Sequence, residues 1–289
     1  MTGRNRRRIR PVSTTAGPVM LIGGAEDKLR DKVILSRFAK FAGGAEGHVV
    51  VISTASSLGD AATEMYRELF LGLGIGRVTG LRPDDRAEAE DPRAALALAD
   101  ATGVFLTGGN QLRLSSVVGG TKLGASLFLA HDRGAAIAGT SAGASAMAAH
   151  MLAFGQSGPT PKNRMAQLSA GLGILQHVVV DQHFEQRSRI GRLLSVVAQS
   201  PSLIGIGLDE DTAAIVYADH TLEVVGRGAV TIVDGSAVRT DAHRGKGHRP
   251  LMMSGVVLHS LPSGYWFDLR ARRLLPGAGP RRAEREASE

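Results

Sequence analysis

The sequence predicts an α/β protein: a mostly parallel sheet sandwiched by helices, with antiparallel hairpins at its C-terminal end. Three observations predict it. Short apolar runs alternate with longer runs whose apolar residues recur at helical spacing. The short runs are rich in β-branched residues and lack the polar alternation of half-solvated strands, so both their faces are buried, as in a parallel sheet. After Asp211 the helical runs stop, and short strands follow one another across turn residues.

Taken in order, strands are expected at Val19–Ile22, His48–Ile52, Val104–Leu106, Ala135–Ala138, His177–Val180 and Leu203–Leu208. Between them, Asp31–Phe41, Ala61–Leu73, Arg93–Ala99, Leu123–His131 and Arg187–Ala198 place apolar residues three and four apart, the stripe of a core-facing helix. An Ala-rich helical run is expected to leave Gly143 and reach about Met151. The later strands are Ala213–Ala218, Leu222–Val225, Val230–Val233, Val256–Leu261 and Tyr265–Asp268, read as an antiparallel extension of the same domain. Residues 18–275 are expected to form one domain, between disordered tails at 1–17 and 276–289.

The composition narrows the function. There is no cysteine among the 289 residues, which excludes disulfide frameworks, thiolate metal sites and a cysteine nucleophile. The formal charge of +7 suggests a polyanion partner, but Gly3–Pro11 alone carries Arg4, Arg6, Arg7, Arg8 and Arg10 and no acid. Without that segment the chain is nearly balanced, and aromatic residues are only 4%, so no nucleic-acid partner is expected. Val19–Ile22 is too short for the apolar core of an export signal, so a cytoplasmic location is expected. The nearly uncharged stretch from Gly134 to Thr160 is dominated by Ala, Gly and Ser and lacks the leucine density of a membrane span; no membrane partner is expected.

In a parallel sheet, functional residues collect at the carboxyl ends of strands. The strand Ala135–Ala138 runs into Gly139-Thr140-Ser141-Ala142-Gly143, a G-x-S-x-G between strand and helix. Such a turn either presents a nucleophilic Ser141 above the sheet or is a Gly/Ser-rich packing turn. A nucleophile needs a base, and His183, at the end of the next buried strand, opens on the same crevice. Asp181, His183 and Glu185 alternate, which also admits a metal site, although no second histidine at ligand spacing supports one. Asp209, Glu210 and Asp211 end the following strand, and spacing alone leaves open which of them faces the histidine. The paired glycines of Thr107-Gly108-Gly109-Asn110-Gln111 suit a backbone N–H close to a reacting oxygen, or a plain β–α turn. Arg187, Arg189 and Arg192 are expected in the first turn of a helix, where they oppose the macrodipole; an acidic ligand would explain them. No dinucleotide or P-loop fingerprint follows any strand, and no cofactor or metal is expected.

Five ordered blocks then stand together: Ile22–Lys28 (IGGAEDK), Leu106–Leu114 (LTGGNQLRL), Ala138–Ala144 (AGTSAGA), Val180–Arg189 (VDQHFEQRSR) and Ile206–Thr212 (IGLDEDT). They closely resemble the cyanophycinases, serine exopeptidases related to the α-aspartyl dipeptidases. The resemblance implies a class-I-glutamine-amidotransferase-like (flavodoxin-like) α/β sandwich and a triad of Ser141, His183 and Glu210. It also implies Gly109 and Ala142 as oxyanion donors, and Gln111, Asp181, Gln182, Arg189 and Arg192 as substrate contacts. The implied substrate is cyanophycin, a polyaspartate carrying an arginine on each side-chain carboxyl, cut to β-aspartyl-arginine dipeptides; an α-aspartyl or isoaspartyl dipeptidase is the alternative. A homodimer is implied by the same resemblance. Two segments match the family's pattern poorly, Gly155–Arg164 (GQSGPTPKNR) and His243–Pro250 (HRGKGHRP).

Overall fold

The computed structural model describes residues 16–276. In chain order the strands are β1 (Val19–Ile22), β2 (His48–Ile52), β3 (Arg77–Leu81), β4 (Gly103–Leu106), β5 (Ala136–Thr140), β6 (His150–Gly155), β7 (Ala166–Ala170), β8 (Val178–Gln182) and β9 (Ile204–Leu208). They continue as β10 (Thr212–Val216), β11 (Thr221–Gly226), β12 (Ala229–Asp234), β13 (Arg239–Thr240), β14 (Met253–Ser254), β15 (Val257–Pro262), β16 (Trp266–Asp268) and β17 (Arg273–Leu274). The α-helices are α1 (Val33–Phe41), α2 (Asp60–Gly72), α3 (Arg86–Glu90), α4 (Pro92–Leu96), α5 (Gln111–Val118), α6 (Lys122–Asp132), α7 (Ala142–Ala146) and α8 (Ile190–Gln199).

The main sheet has the order β17-β16-β11-β10-β1-β5-β4-β2-β3. Its β3-β2-β4-β5-β1 half is parallel, and β10, β11, β16 and β17 continue it antiparallel. Successive residues of a strand point to opposite faces, and here both faces are covered. Met20, Ile22, Val49, Val51 and Phe105 meet Ile34, Leu35 and Phe38 of α1 and Phe70 of α2. On the other side Val19, Leu21, Val50, Ile52, Val104 and Leu106 meet Leu114 of α5 and Leu123 and Leu127 of α6. Continuous burial of this kind leaves the strand ends as the exposed place for polar chemistry.

A second sheet, β15-β12-β9-β8, stands beside the first. β8 and β9 are parallel, and β12 and β15 add antiparallel. Leu193, Val196 and Val197 of α8 pack on it with Val179 and Phe184. The expected C-terminal extension is therefore shared out, some hairpin strands widening the main sheet and others completing the second. The chain passes from β9 in one sheet to β10 in the other through Asp209, Glu210 and Asp211. That crossing brings carboxyl ends of both sheets to one crevice.

Several expected elements are redrawn. The helix expected at Arg93–Ala99 is shortened to α4, and an unexpected α3 precedes it; the two are separated at Asp91, whose side chain accepts from Arg93 N–H, and Pro92 has no N–H with which to continue α3. The Ala-rich helix stops at Ala146, because the backbone beyond it is engaged by a distant segment: Ala149 N–H donates to Leu175 O and Leu175 N–H to Met147 O. The next residues form the β6–β7 hairpin. Helix α8 begins at Ile190, so Arg187 and Arg189 precede it and only Arg192 lies in its first turn. The edge strand β3 was not expected, since its sequence RVTGL carries too little apolar surface. Gly17 is held by hydrogen bonds in both directions with His131. Apart from Ala16, Gly17 and Pro276, both expected tails lie outside the described residues.

Candidate active site

Ser141 sits between β5 and α7 with φ 51° and ψ −110°, a left-handed φ that a residue with a side chain rarely adopts. Its N–H donates to Ile22 O at 2.9 Å, which ties the turn to the end of β1. The flanking glycines are needed for space. A Cβ on Gly139 would lie 2.5 Å from the carbonyl carbon of Gly143, and one on Gly143 would overlap the backbone of Leu106. The Ser141 hydroxyl is thereby set at the mouth of the crevice, over the start of a short helix.

Across the crevice, His183 follows β8 of the second sheet. Its Nε2 lies 2.9 Å from Ser141 Oγ, and its Nδ1 lies 2.6 Å from Glu210 Oε1. A carboxylate only accepts, so Nδ1 carries the hydrogen and Nε2 is the acceptor for the serine hydroxyl. Burial pushes the imidazole below the usual histidine pKa; the Glu210 hydrogen bond opposes this, and the positive charge of Arg187 adds to it. The other two acids face elsewhere. Asp209 is buried and accepts from the N–H groups of Glu185 (3.1 Å) and Ala229 (3.0 Å), while Asp211 accepts from Asp27 N–H at 2.8 Å. The ambiguity that spacing left at this strand end is thus an ambiguity of direction, and Glu210 is the acid turned to the ring.

The alternation Asp181, His183, Glu185 does not persist, because β8 ends at Gln182 and His183 takes φ 47°. Asp181 turns inward instead, and among the described residues no three acidic or histidine side chains gather as a metal site would need. Asp181 is 1% exposed and accepts from Arg192 Nε at 2.6 Å and from Arg189 at 3.2 Å. Arg189 donates also to the side chain and carbonyl of Gln182. Burial and the neighbouring Arg192 and Arg187 charges lower the Arg189 pKa to about 10 despite Asp181, and its Nε is buried without a partner. Arg187 is exposed. Of the expected contact set, Asp181 and Arg192 are therefore spent largely on each other behind the surface, and Arg187 faces solvent.

Gln111 opens α5 just after Asn110, whose side chain accepts from the N–H groups of Leu112 and Arg113. The Gln111 amide donates to the carbonyls of Leu152 (3.1 Å) and Ala153 (2.7 Å), fixing the β6 strand beside the crevice. Among the described residues, the N–H groups of Gly109 and Ala142 donate to no backbone carbonyl. The two segments that fit the family's pattern poorly pack on each other: Asn163 N–H donates to Arg249 O and Leu251 N–H to Pro161 O, both at 2.9 Å. The first also touches the turn after His183, through Gly158 N–H to Ser188 O at 2.7 Å.

The loop after β1 escaped functional notice in the sequence. Gly24 has φ 101° and lies under the imidazole, where a Cβ would come within 2.7 Å of His183 Nε2. Glu26, in the same loop, is a buried acid. The glycine pair of IGGAEDK was the available signal, since paired glycines at a strand end mark a close approach of backbone to something.

The sequence profile of peptidase family S51 matches residues 19–225. The chain belongs to peptidase family S51. It is 42% identical over 260 residues to a cyanophycinase of Synechococcus elongatus, covering 89% of this chain and 81% of that one. It is 39% identical over 272 residues to a cyanophycinase of Trichormus variabilis, covering 93% and 91%. The crystal structure of a peptidase from an acI-B1 Actinobacterium shares the fold, with a TM-score of 0.62 and 23% identity over 86% of this chain and 98% of that one. The S51 match encloses Ser141, His183 and Glu210 and stops before β12, so the basic segment at His243–Pro250 lies beyond it. Among the described residues no helix of this S51 peptidase is long and apolar enough to cross a membrane.

Proposed function

We propose that this S51 peptidase is a cyanophycinase, a serine-type exopeptidase that releases β-aspartyl-arginine dipeptides from cyanophycin through an acyl-enzyme. The reading is carried by one observation, the continuous line of hydrogen bonds from Glu210 through His183 to Ser141. The substrate follows from relatives of about 40% identity that bear that name over most of the chain.

In this reading the G-x-S-x-G turn is a nucleophile elbow. Ser141 Oγ attacks the backbone carbonyl carbon of an aspartate as its proton passes to His183 Nε2, and Glu210 stabilises the imidazolium formed. The carbonyl oxygen takes the negative charge and rests on the N–H groups of Gly109 and Ala142. His183 then gives the proton to the leaving nitrogen as the C–N bond breaks. Water, deprotonated by the same imidazole, attacks the ester and frees Ser141.

Each unit of the polymer presents a carboxylate and a guanidinium. Exposed Arg187 supplies a donor for the carboxylate, with the positive charge of Arg189 behind it, and exposed Glu185 an acceptor for the guanidinium. Asp181, Arg192 and Gln182 hold Arg189 in place, and Gln111 holds the β6 wall. A homodimer and a cytoplasmic location belong to the same reading; light scattering on the purified chain reads the first.

The test is digestion of purified cyanophycin with mass analysis of the products. β-Asp-Arg is expected from the parent and none from Ser141→Ala beyond a residue several orders of magnitude slower. Near-normal release by Ser141→Ala would overturn the mechanism. Hydrolysis of simple aspartyl dipeptides without attack on the polymer would favour the dipeptidase alternative.

A further inference from the structure

The end of β1 and the loop after it bond to Ser141, to His183 and to Asp211, the residue after Glu210. Ile22 O, at the end of β1, accepts from Ser141 N–H, and in the loop Gly23 O accepts from His183 N–H and Gly24 O from Asp211 N–H, each at 2.9 Å. Ser141 belongs to the main sheet, and His183 to the second sheet; Asp211 belongs to the crossing between them. The loop is therefore a backbone clamp across the crevice.

The clamp carries a single buried carboxylate. Glu26 is 3% exposed, and both of its oxygens are engaged. Oε1 accepts from the Tyr66 hydroxyl at 2.6 Å and from Lys28 Nζ at 2.8 Å, and Oε2 accepts from Thr140 Oγ1 at 2.6 Å. Tyr66 is packed among Phe70 and Phe105, and burial together with the Glu26 charge drives its pKa far above the ordinary tyrosine value, so it stays a donor. A buried charge is costly even when paired, and an apolar group would fill the same space with less penalty. Its placement points to a task other than stability.

That task lies at Thr140, the residue before Ser141. Ser141 holds a strained φ, and such strain persists only where the surroundings over-determine it. Here the backbone of the turn is fixed by Ser141 N–H on Ile22 O, and its side chain by Thr140 on Glu26. Loop and carboxylate grip the same turn from two directions.

We propose that Glu26 is a positioning residue: by accepting from Thr140, it fixes the turn that holds Ser141 Oγ at hydrogen-bonding distance from His183. This rests on the reading of Ser141 as the nucleophile. It acts on the chemical step, not on substrate affinity, because neither Glu26 nor Thr140 is exposed to the crevice.

Three variants test it: Glu26→Gln, Thr140→Val, which keeps the shape of the side chain and removes the hydroxyl, and Thr140→Ser, which restores it. The first readout is the rate at which a fluorophosphonate probe labels Ser141, counted per folded molecule, since it needs no knowledge of the natural substrate. The second is kcat and KM on cyanophycin. Glu26→Gln and Thr140→Val are expected to label about tenfold more slowly and to lose kcat in proportion with KM within about twofold, as a displaced nucleophile should. Thr140→Ser is expected to label within about twofold of the parent. Labelling of Thr140→Val at the parent's rate, or an equal loss in Thr140→Ser, overturns the proposal, and this pair decides it even if Glu26→Gln does not fold. A parent that the probe leaves unlabelled overturns the nucleophile and the positioning role together. A parent that is labelled but releases no β-Asp-Arg overturns the substrate alone and leaves the labelling test in force.

Discussion

Glu210 Oε1 lies 2.6 Å from His183 Nδ1, while the carboxylates on either side of it, Asp209 and Asp211, bond to backbone N–H groups elsewhere. Three adjacent acids thus have separable roles. Glu210→Gln removes the charge that holds the tautomer and stabilises the imidazolium; kcat is expected to fall by about 10³–10⁴-fold with the fold intact. Asp209→Asn leaves the ring's partner in place but weakens two buried acceptors, so it is expected to lower stability by about 1–3 kcal/mol and spare kcat. Steady-state kinetics beside urea unfolding separate the two. Equal kinetic losses from both variants would sink the assignment.

The acid limb of activity should lie below the usual histidine range. In the proposed mechanism His183 must be neutral to accept the serine proton, and burial together with the Arg187 charge depresses its pKa, more than the Glu210 bond restores it. Removing the Arg187 charge raises that pKa, so the acid limb of kcat/KM for Arg187→Gln is expected to move to higher pH. The movement is measured from pH–rate profiles of parent and variant on one substrate. A limb that stays put, or moves down, contradicts the electrostatic coupling.

Gly24 is the backbone floor under the imidazole. Alanine there meets two obstacles, a φ of 101° and a Cβ within 2.7 Å of His183 Nε2. The ring is the softer neighbour and is expected to give way, breaking its contact with Ser141. Gly24→Ala should therefore lose about 10²-fold in kcat. Its far-ultraviolet circular dichroism should match the parent's. Kinetics close to the parent's would mean that the ring is not held where the structure has it.

The parallel half of the main sheet was legible because β1, β2, β4 and β5 are apolar on both faces, a pattern that only a doubly covered sheet explains. The approximate place of the candidate site followed, since Ser141 and His183 come directly after buried strands and Glu210 one residue beyond another. The division into two sheets was not legible. The segment IGLDEDT reads the same whether the next strand stays in its sheet or crosses to another, and only long-range pairing with β1 decides it. The setting of the arginines was not legible for a related reason. Arginine is rarely buried unless paired, and the partner of Arg192 is Asp181, eleven residues away on another element. Nothing in the sequence marked Glu26 as buried, because its partners, Tyr66 and Thr140, lie on α2 and β5.

Asp181 neutralises two buried arginines, and its loss should be felt first in stability. Its side chain is 1% exposed and that of Arg192 is 7% exposed, so water replaces little of what Asp181→Asn removes. An amide keeps one acceptor and no charge, leaving the Arg189 and Arg192 guanidinium groups to repel each other. Unfolding free energy is expected to fall by about 3–5 kcal/mol, the range for breaking one side of a buried pair. Adding Arg192→Met to Asp181→Asn removes the second buried charge and should recover part of that loss, which a double-mutant cycle in urea reads as a coupling. Arg189, no longer held, should also bind substrate less well, so KM on cyanophycin rises in Asp181→Asn more than kcat falls. A stability change below about 1 kcal/mol would mean that the pair is hydrated and worth no more than a surface ion pair.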